Sequence, residues 1–139
     1  MRKIKLMTAS HVMEINRIVC SEQNQQSTCF DRGKVESALG AAFYPGSYPF
    51  QNGGIAKVAG ALCFFLIKAH AFLDGNKRTA ALAFTVLLDI NGWEISYPMS
   101  LETNTNDFSD IIEQCAVSLV SKEDLMHWFD QHKHPVQDR

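Results

Sequence analysis

The stretch His70-Ala71-Phe72-Leu73-Asp74-Gly75-Asn76-Lys77-Arg78 brings together a base, a carboxylate, a Gly-Asn turn and two cations. Apolar sequence flanks it: Val58 to Ile67 before, and Leu82, Phe84, Val86, Leu87 and Leu88 after. Chemistry-capable residues this dense, between two elements that read as buried, point to a phosphate site at a helix–helix junction. His70 falls at the C-terminal end of the preceding helix, where the negative dipole end tolerates an imidazolium. That placement suits a base that accepts a proton and holds it briefly. Gly75-Asn76 opens the next helix, whose unpaired N–H groups form an anion site. Lys77 and Arg78 lie in its first turn, where the dipole disfavours cations. An anion seated between them and the amides resolves that conflict, and local rules tend to break at functional sites. Asp74 supplies one carboxylate beside the anion, enough for a Mg²⁺ held mainly by substrate phosphates. Phe72 reads as an apolar anchor of the loop.

Each residue also has a plainer reading. A histidine at a helix end makes a capping contact, Asp-Gly-Asn makes a turn, and Lys-Arg makes a solvated pair. Their contiguity makes coincidence the poorer account. His70 and Asp74 have the i,i+4 spacing of helical zinc ligands, but Gly75-Asn76 and the lack of a nearby third ligand argue against zinc. The phosphate loop GxxxxGK(S/T) is absent.

The elements that must position these groups read as helices. Thr8-Ala9-Ser10 caps a first helix over roughly residues 9–20, with Val12, Ile15 and Val19 at helical spacing. Gln23 to Thr28 is a polar loop, and Asp31 caps a helix from about Gly33 to Ala42. Phe43 to Phe50 holds two prolines and a glycine and reads as an extended flap or small hairpin. Its exposed aromatics either grip a partner or cover the core edge. Gln51-Asn52-Gly53-Gly54 ends the flap, and a long helix runs to about Ala69. A second helix spans about Asn76 to Ile90 and stops at Asn91-Gly92. Trp93 to Tyr97 is a candidate short strand. Asn104 to Val120 reads as a helix with Phe108, Ile111, Ile112, Cys115 and Leu119 on one face. Ser121 starts a last helix to about Gln131, and the tail from Lys133 is expected to fray, with His132 and His134 solvated.

The expectation is an all-α domain with a small extended element. At 139 residues, 46% hydrophobic and 20% charged, residues 1–139 fit a single globular domain. A net charge of -2 gives no overall drive toward nucleic acid or anionic membrane, so any basic site is local. The run Val58–Ile67 is too short to span a bilayer. Cys20, Cys29, Cys63 and Cys115 form no CxxC pair, and the first residues do not make a secretory signal. Reduced thiols in a cytoplasmic protein are expected.

Residues 70–78 resemble the signature of the Fic/Doc family, HxFx(D/E)GNxR, and the form with Lys between Asn and Arg is similar to the Doc (death-on-curing) branch. Weaker similarity covers Thr8 to Val19, Val35 to Leu39, the helix before the motif, and Thr79 to Trp93. The resemblance implies a compact helical bundle with the motif loop between two central helices. A flap ahead of them, here with Tyr44, Ser47, Tyr48 and Phe50, would dock the target. It implies that His70 deprotonates a hydroxyl of a target protein, and that Asp74 holds Mg²⁺ on the phosphates of ATP. Gly75 and Asn76 would build an anion hole, Arg78 would bind phosphate, and Phe72 would hold the loop in the core.

Lys77 stands where AMP-transferring relatives resemble GNGR. In the Doc branch this is associated with a turned nucleotide, so that the γ-phosphoryl group is transferred instead of AMP. Nucleotide orientation decides which phosphorus faces the hydroxyl. Ala81 stands where AMP-transferring members often carry a second arginine, and Ala71 replaces a common proline. The family's inhibitory helix, (S/T)xxxE(G/N), is approached only by Ser10-xxx-Glu14, and Ile15 breaks it. The resemblance then implies a toxin silenced by a separate antitoxin protein and acting on a protein of the translation machinery. Two other readings stay open: a Fic-type AMP-transferase with the same base, and a nucleotide- or partner-binding module without turnover.

Overall fold

A computed structural model describes residues 5–44, 54–95, 99–100 and 105–136. It is mostly helical, and the all-α expectation is met. The helices are α1 (Ala9–Glu22), α2 (Arg32–Phe43), α3 (Ile55–Ala69), α4 (Asn76–Ile90), α5 (Asp107–Ala116) and α6 (Lys122–His132). The strands are short: β1 (Trp93–Ile95), β2 (Met99–Ser100), β3 (Thr105–Asn106) and β4 (Lys133–Pro135). They pair antiparallel as β1–β4 and β2–β3.

The caps explain where the helices begin. Thr8 accepts from the His11 amide while His11 Nδ1 accepts from the Thr8 amide, which makes a capping box for α1. Asp31 Oδ1 accepts from the Gly33 amide at 2.9 Å and starts α2. Ser121 and Asp124 form the box that starts α6.

The apolar helix α3 is the central element, with α2, α4 and α6 packed around it. A Cβ at Gly60 would lie 2.7 Å from Met126 Cα, so glycine is what lets α6 cross α3 this closely. Beside that crossing, Phe84 stacks on Phe129 at 4.2 Å and meets Phe108 at 4.9 Å. Phe84 and Phe129 are fully buried, and truncating either ring to alanine would cost about 3–5 kcal/mol. This aromatic plug fixes α4 against α5 and α6, and α6 in turn crosses α3 at Gly60.

Several sequence expectations need correction. Phe43 belongs to α2 and is buried, because its ring completes the apolar face begun by Val35, Ala38 and Leu39. The helix expected over 104–120 is shorter, since Ser118 takes a positive φ of 64° and ends it. Leu119 is therefore exposed. The tail does not fray over residues 133–135. It pairs with β1, with Trp93 opposite Pro135, and Lys133 Nζ lies over the Trp93 ring. His132 stacks on Trp128 at 4.1 Å, and His134 lies 3.5 Å from the Glu94 carboxylate. No helix is long and apolar enough to cross a membrane, among the described residues.

Candidate active site

The turn between α3 and α4 is built by two left-handed residues. His70 ends α3 at φ 47° and ψ 50°, and Gly75 precedes α4 at φ 74° and ψ 20°. Histidine is one of the few non-glycine residues that visits this region with any frequency. Gly75 has a second constraint. A Cβ there would sit 3.2 Å from both Cys20 Sγ and Val19 Cγ2. The turn is thus pressed directly onto α1.

Between these points the loop is held from both sides. Phe72 is buried, and its backbone makes an antiparallel bridge with Cys29. The Phe30 amide donates to the Ala71 carbonyl at 2.8 Å, and the Leu73 amide donates to the Thr28 carbonyl at 2.9 Å. The polar loop after α1 is therefore a splint for the motif. From the other side, Asn76 Oδ1 accepts from the Phe72 amide at 3.1 Å while its Nδ2 donates to the Phe72 carbonyl at 2.8 Å. That pairing fixes which end of the amide is nitrogen. Asn76 Nδ2 then lies 3.4 Å from His70 Nε2. An amide nitrogen only donates, so this contact is a hydrogen bond in the tautomer with the proton on Nδ1. The exposed His70 thus turns Nε2 toward the loop.

Gly75 brings no side-chain cap to α4. The Thr79 amide donates to the Gly75 carbonyl, while no acceptor meets the amides of Asn76, Lys77 and Arg78 among the described residues. Three free N–H groups at a positive dipole end make an anion cradle. Arg78 reaches toward α1 and the loop after it, with Nη1 donating to the Val19 carbonyl at 2.8 Å and Nη2 to Gln25 Oε1. Lys77 swings the other way, and its Nζ pairs with Glu113 Oε1 of α5 at 2.7 Å.

These groups converge on one cleft of about 510 Å³, lined by Gln25, Ile67, His70 and Leu73 to Arg78, with Ala116 of α5. That volume falls in the usual range for a small-molecule site. Asp74 is half-buried in the cleft wall, and no cation or donor engages its carboxylate among the described residues. No cluster of three His, Cys, Asp or Glu side chains is present among them either. A lone carboxylate beside an anion cradle fits a hard divalent cation bound mainly by phosphates and water, and does not fit a closed protein cage. Phe72 lies beneath the loop rather than in the lining. Tyr44 is exposed at the end of α2, outside this cleft, while Ser47, Tyr48 and Phe50 lie outside the described residues.

The model of the Fic/DOC family matches residues 6–88. The chain belongs to the Fic/DOC family. The match runs from just before α1 into the last turn of α4, and so contains the whole motif loop and its splint. Family members are typically transferases acting on protein hydroxyls, and they generally bind a nucleotide and a metal. In general terms this is therefore a Fic-type protein-modifying transferase. Comparison with curated proteins gives no match.

The geometry adds residues that the motif does not contain. Gln25 and the Val19 carbonyl hold Arg78, Glu113 holds Lys77, and Asn16 supports the turn from beneath. The near-match to the family's inhibitory helix lies elsewhere. Glu14 is exposed on α1 and ion-paired to Arg17, whose hydrogen bond holds the carboxyl below its usual range. It lines a different cleft, with Ser10, Arg32 and Phe72.

Proposed function

We propose that this Fic/DOC protein transfers the γ-phosphoryl group of ATP to a hydroxyl side chain of a target protein, as the toxin of a toxin–antitoxin pair. The observation that carries this reading is Lys77 in the first turn of α4, next to the three free amides. A lysine there narrows the approach that a glycine leaves open, and favours the turned nucleotide whose terminal phosphate faces the base. Ala81 agrees with it, since no second arginine follows Arg78 by one turn.

In this reading His70 Nε2 takes the proton of the target hydroxyl as its oxygen attacks the γ-phosphorus. The new O–P bond forms, the bond from that phosphorus to the bridging oxygen breaks, and ADP leaves with the electron pair. The amides of Asn76 to Arg78 and the Arg78 guanidinium hold phosphate oxygens in place, so catalysis is mainly positioning and charge stabilisation. Mg²⁺, when bound beside Asp74, offsets phosphate charge. The flap residues Tyr44, Ser47, Tyr48 and Phe50 would dock the target, a protein of the translation machinery. A separate antitoxin would restrain the enzyme, since Glu14 is engaged by Arg17 and not by Arg78.

One observation favours AMP transfer instead. Lys77 Nζ is drawn to Glu113, away from the amides, so the cradle stands open. Incubation with γ-labelled and α-labelled ATP and a cell lysate separates the two. Label from the γ position alone supports phosphoryl transfer, and label from the α position alone overturns it. His70→Ala should lower the transfer rate by about 10²–10⁴. If that variant transfers label at the wild-type rate, His70 is not the base.

A further inference from the structure

Beneath the motif turn lies a polar residue that neither the signature nor the cleft includes. Asn16 sits on the apolar face of α1, between Val12, Ile15 and Val19, and is completely buried. An amide buried among aliphatic side chains is costly unless its hydrogen bonds are made. Here all are made, and all run to the site. Asn16 Nδ2 donates to the Asp74 carbonyl at 2.9 Å and to Thr79 Oγ1 of α4 at 3.0 Å. Its Oδ1 accepts from Ser27 Oγ at 2.7 Å, and Cys20 Sγ lies 3.7 Å away. One side chain thus ties α1, the splint loop, the turn and the first turn of α4 together. The Asp74 carbonyl also fixes the amide orientation, because a carbonyl only accepts and so must face Nδ2, which leaves Oδ1 toward the Ser27 hydroxyl.

We infer that Asn16 is a positioning residue of the active site, one that sets the direction of the Asp74 carboxylate by holding the Asp74 carbonyl from behind. The carbonyl and carboxylate of Asp74 share one Cα, so a carbonyl pinned toward α1 restrains the point from which the side chain leaves the backbone at the cleft wall. The same amide, through Thr79, sets how far α4 and its free N–H groups stand from that carboxylate. The distance between the metal side and the phosphate side of the site is therefore held mainly by one buried residue outside the motif, with the Cys20 thiol 3.5 Å from the same Asp74 carbonyl as a weaker donor. A mere core filler at this position would be apolar, as its neighbours are.

The inference rests on the reading of Asp74 as the metal-side carboxylate, and the test separates the two. ATP binding to the full chain is measured by calorimetry, in EDTA and with Mg²⁺. Wild type should bind more tightly with Mg²⁺, and Asp74→Ala should lose that gain. Asn16→Ala should keep its helical circular dichroism and its affinity in EDTA, yet lose about tenfold of the Mg²⁺-dependent gain, as removal of a residue supporting a metal ligand typically does. Thr79→Val keeps the bond to the Asp74 carbonyl but removes the bond to α4, and should lose part of the gain, less than Asn16→Ala does. Folded Asn16→Ala with the full wild-type gain overturns the inference while leaving the Asp74 reading intact. If Asn16→Ala does not fold, the Ser27→Ala/Thr79→Val pair leaves Asn16 free to rotate and carries the test, and an unchanged gain there also overturns it. No Mg²⁺-dependent gain in wild type overturns the Asp74 reading and this inference together.

Discussion

Replacing Asn76 by alanine removes the clamp that closes the motif loop. The side chain makes two bonds to the Phe72 backbone, at 3.1 and 2.8 Å, and touches His70 Nε2 at 3.4 Å. A net hydrogen bond contributes about 1 kcal/mol, and the two Phe72 groups are part-buried, so a loss of roughly 2 kcal/mol follows. At roughly 4 °C per kcal/mol for a chain of this length, Tm should fall by about 8 °C. The effect on rate should be larger than the effect on stability. With the clamp gone the loop can shift, and a misplacement of about 1 Å costs on the order of 10² in rate. Asn76→Asp should behave in a distinct way. It keeps the acceptor for the Phe72 amide but sets oxygen against the Phe72 carbonyl and places a carboxylate beside His70. Thermal melts and single-turnover label transfer check both variants at a temperature well below either Tm. A Tm within about 1 °C of wild type, together with an unchanged rate for Asn76→Ala, would refute the clamp.

Gly75→Ala places a Cβ at φ 74° and 3.2 Å from Cys20 Sγ and Val19 Cγ2. The left-handed backbone alone costs about 1–2 kcal/mol, so melts should show a drop of at least about 4 °C, with loss of transfer as α4 moves off α1. Glu113→Gln frees Lys77 from an exposed pair worth roughly 0.2–1 kcal/mol. ATP titration at low salt should then show about 1.5–5-fold tighter binding, an effect that fades in high salt, and weaker binding would show that Glu113 instead orients Lys77 for the nucleotide. Acid should destabilise the C-terminal helix first. Ser121 hydrogen bonds hold the Asp124 carboxyl below its usual range, and the Lys133 ammonium does the same for Asp130. Carboxyls depressed in the folded state stabilise it above their unfolded pKa, and that stability is lost as pH falls through the lower folded value. Melts should therefore steepen their decline below about pH 4, and Asp124→Asn should flatten it.

The helices were legible where side chains cap them or apolar residues repeat at helical spacing. Thr8, Asp31 and Ser121 mark three starts, and Asn91-Gly92 marks the stop of α4. The overrun of α5 to Val120 arose because Leu119 keeps the apolar spacing, while the positive φ at Ser118 leaves no mark in the residue type. The strand β4 was illegible for another reason. A three-residue strand has no periodicity, and its partner β1 lies about forty residues earlier in the chain. In the site, the motif residues were readable because they are contiguous. Their supports were not, since Gln25, Glu113 and Asn16 reach the motif from other elements. Asn16 did leave one sign in the sequence. It is a polar residue at an apolar position of α1, between Ile15 and Val19. Residue type alone likewise placed both cations beside the anion cradle, whereas the structure sends Lys77 to α5.

The central claim is that Lys77, held at the start of α4 beside three free amides, selects the γ-phosphoryl group. The direct measurement is label transfer from γ-labelled and α-labelled ATP to a target protein, with wild type and Lys77→Gly side by side. The account predicts γ label alone for wild type and the appearance of α label for Lys77→Gly. Label from the α position with wild type, or an identical pattern for both proteins, would contradict it.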